Sequence, residues 1–142
     1  MLNISKGFTL LEIMVVVVIL GILAGAIVPK LINKPEEVRK VRAQSDIRTI
    51  EAALNLYKLD NFIYPTTEQG LEALVIKPSV DPLPKHWKKE GYLGTVPIDP
   101  WGNEYLYLQP GVKTTMDIYS LGLDGEQNDD EESDDIGNWD LK

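Results

Sequence analysis

The chain of 142 residues has no cysteine and one histidine, His86. Without thiols there are no disulfides, no thiolate metal sites and no cysteine nucleophile. A single imidazole excludes a multi-histidine metal site within one chain. His86 stands among Lys85, Trp87 and Lys88 in a stretch punctuated by Pro78, Pro82, Pro84 and Pro97, and it reads as a surface loop residue. Positive charge is also scarce: 14 Lys and Arg face 22 Asp and Glu, for a formal net charge of −8. That balance gives no basic surface for nucleic acid, and because the acid gathers late, in 124–140, the fitting partners are cations or basic protein surfaces. No nucleophile-base pair or phosphate loop is present, so an enzyme is not expected. Asp134 and Asp135 form an acid pair, but adjacent carboxylates are more readily metal ligands than catalysts.

What the sequence does have is a nearly unbroken apolar run over 8–28. As a helix this run is about 31 Å long, which matches the ~30 Å hydrocarbon core of a bilayer. Between Ile13 and Val28 it offers no polar face, so it reads as a membrane segment rather than a buried soluble helix. Glu12 interrupts it. An ionised carboxylate in hydrocarbon is costly unless paired, so Glu12 requires a neutralising partner. The bland alternative is a plain signal anchor whose glutamate snorkels to the interface.

Downstream, Pro29 is expected to kink or loosen the helix over 26–33. Pro35 suits the first turn of a resumed helix, with Glu36 and Glu37 where the helix dipole favours acid. Val41, Ile47, Ile50, Leu54 and Tyr57 then recur at helical spacing and predict an amphipathic helix to about residue 59. Arg39, Lys40, Arg42 and Arg48 lie on its polar side, either as a solvated face or as partners for neighbouring subunits. Thr66 or Thr67 can cap a short helix over 68–75. Asp99-Pro100-Trp101-Gly102-Asn103 is a turn, 104–108 and 115–121 are strand-like, and together they predict a small antiparallel sheet packed on the amphipathic helix. Tyr57, Tyr64, Trp101 and Tyr105 read as core or turn packing.

The crowded acid of 124–135 carries no lysine or arginine, so it is either solvated or held by a cation. Carboxylate and carbonyl oxygens suit calcium, with six to eight ligands in flexible geometry, better than magnesium. An EF-hand is not expected: Asp124 and Asp135 stand at its first and twelfth positions, but Asp129 replaces the required glycine and flanking helices are missing.

Two sets of residues carry a family resemblance. Lys6-Gly7-Phe8-Thr9-Leu10-Leu11-Glu12, followed by the apolar run, resembles the type IV prepilin processing signature. The resemblance implies cleavage between Gly7 and Phe8 by a prepilin peptidase, N-methylation of Phe8, and pairing of Glu12 with the new Phe8 ammonium of a neighbouring subunit. The tracts Tyr57-Lys58-Leu59-Asp60-Asn61, Tyr64-Pro65-Thr66-Thr67-Glu68-Gln69-Gly70-Leu71, Asp99-Pro100-Trp101-Gly102 and Asp135-Ile136-Gly137-Asn138-Trp139 resemble the major pseudopilins of type II secretion, within the type IV pilin-like family.

That resemblance implies an α+β fold: a long N-terminal helix, half membrane and half amphipathic, packed on a small C-terminal antiparallel sheet with an acidic calcium-binding loop. The implied division is a leader over 1–7, a transmembrane and filament-core helix over 8–32, and a periplasmic domain over 33–142. The implied calcium ligands are Asp124, Asp134 and Asp135, with carbonyls near Leu121 and Glu126 and the Ser133 side chain. The implied function is a non-enzymatic filament subunit, a homopolymer rooted in inner-membrane lipid. Its implied partners are minor pseudopilins and an inner-membrane assembly platform, and the filament drives export of folded proteins. A surface pilus for adhesion or motility is the alternative; such pilins commonly staple a C-terminal loop with a disulfide, which this chain cannot form.

Overall fold

The computed structural model describes residues 7–31, 34–127 and 133–141. It divides into two compact units, Met1–Glu37 and Val38–Lys142.

In the first unit α1, Leu10–Leu31, is helical straight through Pro29, and α2 begins at Lys34. The expected loosening over 26–33 therefore does not interrupt the helix before residue 31, and residues 32 and 33 lie outside the described residues. Thr9 caps α1: the Glu12 amide donates to its hydroxyl at 3.3 Å and to its carbonyl oxygen at 3.1 Å. Thr-x-x-Glu is the sequence pattern of a capping box, and it puts Glu12 in the first turn, where the helix dipole favours a negative charge.

In the second unit α2, which extends to Asn61, supplies the core stripe. Ala43, Ile47, Ile50, Leu54 and Tyr57 are each 0% exposed. Their spacing of four, three, four and three residues keeps them on one face. Val41, expected on this face, is 64% exposed, because it stands two positions from Ala43 and points elsewhere. The small Ala43 holds the place instead.

Three short strands cover that stripe: β1 at Leu106–Leu108, β2 at Asp117–Ser120 and β3 at Ile136–Gly137. They form an antiparallel sheet in the order β1-β2-β3, with Leu106 opposite Tyr119 and Ser120 opposite Ile136. Tyr107, Ile118, Met116 and Ile136 complete the core. The two expected strands are present but shorter, and β3 is an addition. Burial of each Ile or Leu contributes about 1.5–3 kcal/mol.

Tyrosine hydroxyls tie the layers together. Tyr105 donates to Asp46 Oδ2 on α2 at 3.0 Å, and Tyr107 donates to the Pro65 carbonyl at 2.8 Å. Burial pushes both hydroxyls well above the ordinary tyrosine range, with the Asp46 hydrogen bond adding to the effect at Tyr105. Tyr57 and Tyr105 are buried, while Tyr64 and Trp101 are half-buried against the core, as their reading as packing residues required. The helix expected over 68–75 is only a 3-10 turn, Leu71–Leu74, because Gly70 at φ +62 breaks the chain after the Thr66–Gln69 capping pair. His86 is exposed.

Candidate functional site

Two places gather the candidate residues, one in each unit. At the start of α1, Phe8 is 78% exposed and every large apolar side chain described from Leu10 to Leu23 is at least 48% exposed. Among the described residues of the first unit, none buries this face. Among the described residues, no helix is long and apolar enough to cross a membrane; the side chains of α1 are described only as far as Ala24. Gly7, the other half of the expected cleavage site, is exposed, as is Glu12.

The acidic loop is built by β2 and β3, which fix its two ends. Asp99 accepts hydrogen bonds from the Trp101 and Asn103 amides and from Ser120 Oγ at 2.6 Å, so the turn after residue 98 anchors the end of β2. Ser120 Oγ in turn accepts from the Gly122 amide at 3.1 Å. Gly122 has φ +68, and a Cβ there would collide with the carbonyl oxygen of Asp134. Both facts require glycine, since an L side chain disfavours this region and the two loop ends touch here. The structure thereby brings the 121–122 end against Asp134.

The individual ligand candidates are engaged differently. Asp124 Oδ1 accepts from the Glu126 amide at 3.1 Å, and Ser133 Oγ accepts from the Asp135 amide at 3.1 Å. Asp134 is half-buried and lies 3.5 Å from Lys40 Nζ on α2. The Asp135 carboxylate is close enough to Tyr119 to raise its hydroxyl pKa, after the larger effect of burial. Leu121 is half-buried and Glu126 exposed. Among the described residues no group of three His, Cys, Asp or Glu converges as a metal cluster, so Asp124 is not gathered with Asp134 and Asp135 in this conformation. Asp129, Asp130, Glu131 and Glu132 lie outside the described residues. The donor set is all hard oxygen, which suits calcium, and the touching loop ends supply a frame for it.

Two features here were not expected from sequence. Lys40 reaches Asp134 across 94 positions, a distance for which local spacing carries no signal. Close approach at Gly122 could have been suspected only from a glycine beside an acidic run.

A hollow of about 340 Å³ opens beside α2, lined by Glu51, Asn55, Tyr64, Thr114, Met116 and Asn138 among others. The Asn138 side-chain amide is already committed to the Met116 carbonyl at 2.9 Å, and Asn138 Oδ1 accepts from the Ile118 amide. These groups hold the fold rather than face a substrate.

Comparison with known proteins bears on both places. The family model for type II secretion system (T2SS) protein G matches residues 30–139, and that for the prokaryotic N-terminal methylation motif matches residues 2–28. The type II secretion system core protein G of Pseudomonas aeruginosa is 58% identical over 136 residues, covering 96% of each chain. Its counterpart in Vibrio cholerae is 53% identical over 138 residues, covering 97% of this chain and 94% of that one. The crystal structure of the major pseudopilin from the type 2 secretion system of enterohaemorrhagic Escherichia coli superposes with a TM-score of 0.71 at 46% identity, over 80% of this chain and 96% of the other.

Proposed function

This chain belongs to the type II secretion system protein G family, the major pseudopilins, and we propose from that premise how its two units do the work. A prepilin peptidase cuts between Gly7 and Phe8, and Phe8 becomes the methylated N-terminus. Residues 8–32 hold the subunit in inner-membrane lipid, with 33–142 in the periplasm. Copies then leave the membrane through the assembly platform and stack, together with minor pseudopilins, into a pseudopilus that drives folded proteins outward. The subunit acts as a structural part and not as an enzyme.

The observation that carries this reading is the exposure of the whole described apolar face of α1, next to an N-terminal methylation motif, in a chain whose second unit has a core of its own. Such a face needs lipid first and sister helices later. Glu12 contributes twice. In one chain it sits in the capped first turn; in the filament it meets the Phe8 ammonium that cleavage creates. The pairing offsets the desolvation of both charges and sets register more than it adds stability.

At the other end, the two ends of the acidic loop would hold a calcium ion. Asp124, Asp134 and Asp135 supply charge, with the Leu121 and Glu126 carbonyls and the Ser133 hydroxyl as further donors. Support comes from the all-oxygen donor set and from the contact of Gly122 with Asp134. Calcium held by these residues would neutralise the crowded carboxylates.

Complementation tests the function. In a Gram-negative strain deleted for its own major pseudopilin, this chain is expected to restore secretion of hydrolases and leave twitching unchanged; restored twitching without secretion would select the pilus reading. For calcium, the full chain in detergent micelles is expected to melt at a higher temperature with calcium than with chelator. Coincident curves would mean that no ion closes the loop.

A further inference from the structure

An ion pair joins α2 to the acidic loop. Lys40 Nζ lies 3.5 Å from Asp134 Oδ1, with the side chains 49% and 37% exposed. Arg42, by contrast, lies 3.9 Å from Asp46 of its own helix. Asp134 is also one of the carboxylates assigned to calcium in the proposed function, and the role given to Lys40 rests on that assignment.

The two cations want the same oxygens. A carboxylate has about four lone-pair sites, so valence alone does not prevent sharing. Charge does the separating. Calcium binds carboxylate oxygens at about 2.3–2.6 Å, so an ion on Asp134 puts two positive charges beside an ammonium already in contact with that group. The lysine has an easy way out: it is half-exposed, its stem is flexible, and its ammonium is readily hydrated. An exposed pair of this kind holds only weakly. Calcium, with twice the charge and several ligands, displaces it when present, and Lys40 returns when calcium is withdrawn.

We propose that Lys40 is a built-in competitor for the calcium site. Its ammonium neutralises Asp134 in the calcium-free subunit, which keeps that end of the loop against α2. In doing so it raises the calcium concentration at which Asp134 takes up the ion. The coupling is reciprocal: if Lys40 weakens calcium, calcium frees Lys40 by the same factor.

Calorimetric titration of calcium chloride into the full chain in micelles tests this, comparing the unchanged chain with Lys40→Met and Lys77→Met. Lys77 is an exposed lysine lining a different hollow, with Glu68 and Gln69, and it controls for the loss of one positive charge from an acidic protein. Lys40→Met is expected to bind calcium about three- to fivefold more tightly, the most that an exposed ion pair can withhold, and Lys77→Met within about 1.5-fold of the unchanged chain. Lys40→Gln should follow Lys40→Met, which separates charge from shape. Acylation by acetic anhydride, read by mass spectrometry, should modify Lys40 faster in calcium than in chelator.

Three results would overturn the inference. One is calcium binding by the unchanged chain with equal or weaker affinity in both Lys40 variants. Another is Lys40 acylation indifferent to calcium. The third is no binding by any of the chains, which removes the calcium reading itself and the role of Lys40 with it.

Discussion

The two units use apolar residues in opposite ways. In α1 the described apolar side chains lie open, from 48% exposed at Val16 to 82% at Leu10, whereas Ile47, Ile50, Leu54 and Ile118 are all 0% exposed. The second unit encloses a core of its own; the first leaves its described apolar side chains open. On the proposed function, a subunit that passes from lipid to a stack of its own copies needs this division.

The contrast breaks most sharply by truncation. Leu54→Ala removes a fully buried side chain from the centre of the stripe and is expected to cost about 2–5 kcal/mol, read as a fall in the temperature of the domain's melting transition. Val16→Ala, the same kind of change on α1, should leave that transition where it was. Equal shifts in the two variants would mean that α1 is part of the same core.

A smaller effect comes from Asp117, a carboxylate that is 2% exposed on the central strand. Burial alone would raise its pKa, but the amides of Lys113, Thr114 and Val112 and the Thr114 hydroxyl donate to it and hold it below the ordinary carboxylate value. A depressed pKa means that its contribution is present above the unfolded value and is lost as pH falls through the folded one. Melting temperature should therefore fall below about pH 4. Asp117→Asn should cost about 1–3 kcal/mol near neutrality and flatten the acid side of the profile. An unaltered profile in the variant would assign the acid sensitivity elsewhere. Smallest of all, Val41→Ser is expected to change stability by no more than about 0.5 kcal/mol, because Val41 is exposed in the single chain. A larger loss seen only after filament assembly would place Val41 between subunits.

Much of this was legible in the residues. The period of Ile47, Ile50, Leu54 and Tyr57 is a direct consequence of helix geometry, and it predicted the buried face. Val41 failed because an apolar residue near the period looks the same as one on it, and Ala43 is too small to draw notice. The strands at 106–108 and 117–120 announced themselves by aromatic and β-branched residues between turns. Ile136–Gly137 did not, since two residues carry no alternation and pair only because β2 offers an edge. At the acidic loop, composition marked only candidate donors, whereas the Lys40 pair and the Gly122 contact join positions distant in sequence, which no local pattern encodes. The N-terminal methylation motif was legible for the opposite reason: Gly7, Phe8, Thr9 and Glu12 lie within one short segment.

If the open apolar helix waits for other copies and Glu12 sets their register, Glu12→Gln is the variant that shows it, because glutamine keeps the first-turn capping pattern and removes only the charge. With cleavage at Gly7 and domain melting unchanged, filament recovery and hydrolase secretion are expected to fall at least tenfold in the variant. Filaments of normal yield, with secretion at the unchanged level, would contradict the role of Glu12 in assembly.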